Sequence, residues 1–236
     1  MDYRLRVSPW ARALSLRVTL RGGLEVIAPR RYSPRTIASL LAREQAWIQA
    51  ALAEADARRR ALPPPPVWQV PTEIALPAVG GRWRVAVRPT AARGVRVAPT
   101  GAGELELAGQ VASAAACRRA LHRWLVRESR AHLLPWLAGL SRALGLPYAG
   151  TTIRLARSRW GSCSRTGGIG LNARLLLLSP PLVEYVLVHE LCHTRELNHS
   201  PAFWALVAQH CPDYRVRRAE LRAAGKLLPA WVQGTG

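Results

Sequence analysis

Within "VLVHELCHTRELNHS", Val186 to Ser200, three of the chain's six histidines fall inside eleven residues. His189 and His193 match the pattern H-E-x-x-H, with Glu190 as its acid. Residues four apart on an α-helix sit about 40° apart around its axis, so the two imidazoles point the same way one turn apart. Two ring nitrogens can then reach one zinc ion at about 2.0–2.1 Å. Glu190 lies about 100° round from His189 and borders that metal without ligating it, where a general base for an attacking water belongs. Zinc that does chemistry needs a third protein ligand and an open position. His199, six residues beyond His193, has the spacing of the longer H-E-x-x-H-x-x-G-x-x-H pattern, with Glu196 standing where that pattern has glycine. Asn198 tolerates a left-handed backbone and offers another way to turn the chain there. The competing readings are imidazoles that each bond a backbone carbonyl, and a surface His199 that merely precedes a helix cap.

The frame these residues need is a buried helix. Ser179-Pro180 has the chemistry of a helix start, serine as N-cap and proline at the first helical position, and Ser200-Pro201 repeats it. Leu182 to Val188 are apolar almost all round, which implies burial, and histidines and a glutamate carried on such a helix require partners. Upstream, "YRLRV", "ALSLRVTL" and "LEVIAP" alternate apolar with polar residues and read as strands, with a Gly22-Gly23 turn between the last two. Ser33-Pro34 opens a helix expected to run to Arg60. "LPPPP", Leu62 to Pro66, cannot continue it, so the expected division is a strand-rich region plus helix over 1–62 and a larger domain over 67–236. There, "EIALPAV", "RWRVAVRP", "GVRVAP" and "ELELAG" read as short strands, followed by a helix from about Val111 to Leu144, bent near Pro135. "TIRLARS" and "GGIGLNARLLLL" read as strands around a "RWGSCSRTGG" connection.

Composition narrows the function classes. The 236 residues carry a formal charge of +20, almost wholly from arginine, since Lys226 is the only lysine. Such a balance favours polyanions and predicts weak nucleic-acid affinity, against the plainer reading that arginine excess reflects genomic base composition. No run reaches the eighteen apolar residues of a membrane span, and "MDYRLRVSPW" lacks the apolar stretch of a signal peptide, so the expected compartment is the cytoplasm. Cys117, Cys163, Cys192 and Cys211 form no C-x-x-C pair, which argues for free thiols and against a zinc ribbon. A Gly-rich phosphate loop is missing as well.

Taken in order, "RWGSCS", "GIGLN", "YVLVHELCH" and "NHSPAFW" resemble the YgjP-like branch of the SprT/WLM-type zinc metallopeptidases, densely from about Ala112 to Gly225 and loosely in "SPWARALSLRV". The resemblance implies an α+β, zincin-like metallopeptidase domain with an amino-terminal strand-rich region. It implies His189, His193 and His199 as zinc ligands, Glu190 as catalytic base, and Arg159, Trp160, Gly161, Ser162 and Cys163 beside the active site. The implied substrate is a peptide or protein; hydrolysis of a nucleoside triphosphate to monophosphate and diphosphate is the alternative associated with that branch. A zinc-stabilised module for nucleic acid is the non-enzymatic rival.

Physical roles can be assigned around that set. A strand bordering the cleft can pair with an extended substrate, and Gly161 and Gly168 permit close backbone approach. Arg159 either binds a carboxylate or phosphate or stacks on Trp160. Asn172 either donates to a developing oxyanion or closes a turn. Cys192 points away from the ligand face, and Cys163 is read as a small buried residue. Tyr185 and His210 are candidate transition-state donors or core residues, and the nine tryptophans read as packing.

Overall fold

Alternating residues build the first sheet. In the computed structural model, which describes residues 2–19, 23–61, 68–156 and 158–233, strands β1 (Arg4–Val7), β2 (Ser15–Thr19) and β3 (Gly23–Ala28) pair in the order β1-β3-β2. β3 buries Leu24, Val26 and Ala28 on one face, and its antiparallel register with β2 sets Thr19 opposite Gly23 at φ 65°. Gly22 and the tract from Leu62 to Pro66 lie outside the described residues. The helix expected from Pro34 to Arg60 is two helices, α1 (Pro34–Arg43) and α2 (Gln45–Ala61). Glu44 parts them by leaving helical geometry at φ −94°, ψ 13°. α2 packs on β2 and β3. By its internal packing the chain divides into Met1–Val67, which holds these elements, and Trp68–Gly236.

The second unit opens with β4 (Glu73–Leu76), β5 (Gly81–Pro89), β6 (Val95–Gly101) and β7 (Glu104–Gly109), in the order β4-β5-β7-β6. The long helix α3 (Ala114–Leu144) starts at Ser113, whose hydroxyl accepts from the Ala116 N–H at 3.3 Å, and ends at Gly145 in a left-handed conformation. Pro135 sits inside it without ending it. α3 buries Leu121, Trp124, Leu125, Leu133 and Leu137, with Trp124 edge-on to Trp83 at 5.5 Å.

The third sheet, β8 (Gly150–Arg154), β9 (Gly161–Cys163) and β10 (Gly168–Asn172), has the order β8-β10-β9. β9 lies within the stretch read from sequence as a connection, and among the described residues it pairs only with β10, so it forms the sheet's edge. The apolar run after Asn172 does not extend β10 but winds into a 3-10 turn, Ala173–Leu177. Asn172 starts that turn by accepting from the Arg174 N–H at 3.1 Å, and Ala173, Leu175 and Leu176 are fully buried without needing a strand to bury them. Three helices follow, α4 (Pro180–Cys192), α5 (Pro201–His210) and α6 (Tyr214–Ala224). α4 packs against β9, α5 and α6. The mixture is the α+β class expected from the sequence. All four cysteines are free, and no described helix is long and apolar enough to cross a membrane.

Candidate metal centre

α4 is the central support. Nine of its thirteen residues are buried, which fixes its rotation, and its last turn delivers His189 and Glu190, with His193 as the capping residue. The chain then leaves the helix through backbone bonds from Thr194 N to Leu191 O and from Arg195 N and Glu196 N to Cys192 O, each 3.0 Å. No described residue other than glycine has positive φ, so Asn198 does not make a left-handed turn; these bonds turn the chain instead. His199 follows in the irregular segment before α5, which Ser200 caps by accepting from the Phe203 N–H at 3.2 Å.

The three imidazoles converge. His199 Nε2 lies 3.2 Å from His193 Nε2 and 3.2 Å from His189 Nε2. His193 Nδ1 is 2.9 Å from the Glu196 carbonyl, which can only accept, so this nitrogen carries the hydrogen and Nε2 presents a lone pair to the cluster. At most one of the two contacts at His199 can then be a sound hydrogen bond: a lone pair on His199 Nε2 would face that of His193, and a single hydrogen cannot point at both neighbours. Tetrahedral zinc with ligands at about 2.0–2.1 Å separates neighbouring donor atoms by about 3.3–3.4 Å; the two separations at His199 lie close to that, and all three donor atoms lie within 4.8 Å of one another. Burial, followed by the charges of His193, His199 and Arg218, pushes His189 down to about 3, and burial likewise lowers His193. Neutral imidazoles are the state a metal requires.

Aromatic rings hold the imidazoles. Phe203 stacks on His193 at 4.3 Å, and Trp204 stacks on His199 at 5.5 Å and on Tyr214 at 5.2 Å. These positioning residues were not separable in the sequence from ordinary packing aromatics, although both belong to the "NHSPAFW" stretch. His189 Nδ1 is buried with no hydrogen-bond partner in the protein, and its ring meets Tyr185 edge-on at 5.9 Å.

Glu190 is 5 % exposed, and its Oε2 is buried without a partner. Burial pushes its carboxyl up to about 8, with nearby Arg159 pulling the other way. The space for it is made by Gly161 of β9: a Cβ there would lie 2.5 Å from Glu190 Oε1, 2.6 Å from Cγ and 2.7 Å from Cδ. Gly161 therefore serves the carboxylate, and Gly170 in turn makes room for the Ser162 hydroxyl on the opposite face of the strand.

The remaining candidates divide. Arg159, Trp160, Gly161, Tyr185, His189 and Glu190 line one cavity of ≈ 300 Å³, joined by Arg218 and Arg222 of α6, a helix the sequence reading had not identified. Arg159, Trp160 and Gly161 also line a second concavity of ≈ 780 Å³ over the third sheet, together with Ser162, Cys163 and Asn172. Cys163 is half-buried, and Cys192 is buried with its thiol pushed up to about 12. His210 lies elsewhere, in a cleft with Leu144 and Arg195. Asn172 is 4 % exposed and donates to the carbonyls of Ala156 at 2.9 Å and Arg159 at 2.7 Å. With both amide hydrogens committed, it is a clamp on the segment leading into β9 and has none to offer an oxyanion.

No curated protein matches the chain. The crystal structure of the metallopeptidase zymogen of Pyrococcus abyssi abylysin is similar at 29 % identity, covering 39 % of this chain and 90 % of that one, with a TM-score of 0.34. The family model described as "YgjP-like, metallopeptidase domain" matches residues 12–224, and the chain therefore belongs to the YgjP-like metallopeptidase-domain family.

Proposed function

We propose that the protein is a zinc-dependent peptidase in which His189, His193 and His199 hold the ion and Glu190 is the general base. The observation that carries this reading is the convergence of three imidazole nitrogens beside a buried carboxylate oxygen with no protein partner. When bound, zinc acidifies a coordinated water towards neutrality and polarises the bond under attack. Glu190 takes the proton from the attacking water and returns it to the leaving amine. β9, paired on one side only, offers its free edge to an extended peptide by strand addition. Three donors, with no fourth His, Cys, Asp or Glu in the cluster among the described residues, fit a catalytic ion better than a structural one, which takes four.

Hydrolysis of a nucleoside triphosphate is the second reading, favoured by the arginines lining the cavity beside Glu190. The test is elemental analysis of purified protein with an assay of an unstructured protein substrate in the presence and absence of chelator. About one zinc per chain, mostly lost in His193→Ala, and chelator-sensitive cleavage are expected; equal zinc in both proteins overturns the ligand assignment.

A further inference from the structure

The cavity that holds Glu190 and one face of His189 is unusually cationic. Its ≈ 300 Å³ are lined by three arginines, Arg159, Arg218 and Arg222, and by one acidic group, Glu190 itself. Three solvent-exposed arginines thus line the cavity against a single carboxylate. Arg218 and Arg222 stand four apart on α6 and so share a face, and Leu221 lines the cavity beside them. Neither makes an ion pair among the described residues. Their neighbour Arg217 is different: it donates to Asp213 at 2.8 Å, lies 4.0 Å from Glu184 and donates to the Pro181 carbonyl at 3.0 Å. Arg217 thus takes Asp213 and Glu184 in fastening α6 to α4, whereas the two arginines that line the cavity have no ion pair among the described residues. Arg218 is moreover held in place, its guanidinium 4.7 Å from the Trp204 ring that also stacks on His199.

All three arginines are exposed, so water screens their mutual repulsion; what the cluster offers an anion is its geometry, because the guanidinium fork matches the oxygens of a carboxylate or phosphate. We infer that this cavity is an oxyanion-binding subsite, in which Arg218 and Arg222, with Arg159 opposite, select substrates carrying a carboxylate or phosphate next to the bond that is hydrolysed. The inference deepens the peptidase reading and names its substrate preference as acidic; the phosphate source is the outcome that would accompany the nucleotide reading.

Zinc-loaded wild type, Arg218→Gln/Arg222→Gln and the control Arg130→Gln, an exposed site on α3, are compared on two kinds of probe. The first is a set of peptide pairs that differ only as Glu or Gln at each position flanking the scissile bond. The second is inorganic phosphate titrated calorimetrically into zinc-loaded Glu190→Gln with and without the two arginine substitutions. A preference of roughly tenfold or more in kcat/KM for one Glu peptide, present in wild type and Arg130→Gln and abolished in the double variant, is expected from charge-assisted hydrogen bonds. Absence of any peptide cleavage, with phosphate bound roughly tenfold more weakly after both arginines are removed, would end the peptidase reading and keep the subsite. Peptide cleavage with no Glu preference and no change in phosphate affinity would keep the peptidase and overturn the subsite.

Discussion

Replacing Gly161 by alanine tests the relation between β9 and the carboxylate it shelters. The added methyl would sit 2.6 Å from Glu190 Cγ and 2.7 Å from Cδ, where carbons normally rest about 3.5–4.0 Å apart, so one group must move by about 1 Å. β9 is held by its register with β10, Gly161 opposite Leu171, and α4 by its buried residues; the side chain of Glu190 is the part free to give way. Overpacking of this kind costs about 1–3 kcal/mol, which for a domain of this size lowers the Tm by roughly 2–10 °C. A 1 Å error in the position of a catalytic group costs on the order of 10²-fold in rate. The expected result for Gly161→Ala is therefore a modest loss of Tm, about one zinc per chain as in wild type, and kcat/KM reduced about a hundredfold. Gly170→Ala is the control, because the one close contact of its new methyl is the rotatable Ser162 hydroxyl, at 2.8 Å, with Thr152 Oγ1 and the Ser162 carbonyl at ordinary distances of 3.6 and 3.9 Å. Wild-type activity and Tm in Gly161→Ala would refute the contact between β9 and Glu190.

Three further outcomes follow from the same structure. His199→Ala removes one of three donors and Trp204→Leu removes the ring stacked on it, so both should weaken zinc binding, the second by roughly 10- to 100-fold, as measured with a competing chelator. Asn172→Ala deprives the carbonyls of Ala156 and Arg159 and the Arg174 N–H of their partner, and should cost about 2–4 kcal/mol in urea unfolding. In chelated protein, Glu190 with its carboxyl raised to about 8 holds a proton that the unfolded chain loses near 4.5, so stability falls as pH rises through that window. His189, lowered to about 3, acts oppositely below about 6.5, leaving pH 6.5–8 as the range where Glu190→Gln should flatten the slope of Tm against pH.

What the sequence made legible was whatever has a period or a cap. The alternation in "LEVIA" reappears as the buried Leu24, Val26 and Ala28 of β3, and Ser33, Ser179 and Ser200 stand at helix starts. The i, i+4 spacing of His189 and His193 is a property of the helix itself, so their convergence was readable before any coordinates. β9 was hidden because Gly-Ser-Cys has neither apolar alternation nor β-branched residues; it is a strand only because β10 pairs with it. "ARLLL" shows that a buried apolar run has no signature separating strand from 3-10 turn. Arg218 and Arg222 were indistinguishable among 34 basic residues until α6 turned them towards Glu190.

The most direct test of the account is the turnover of an unstructured protein substrate by Glu190→Gln at a zinc content equal to wild type. Glutamine keeps the size of the side chain and removes its basicity, so the account predicts a fall in kcat of about 10²–10⁴-fold with the metal retained. Equal turnover at equal zinc would contradict it.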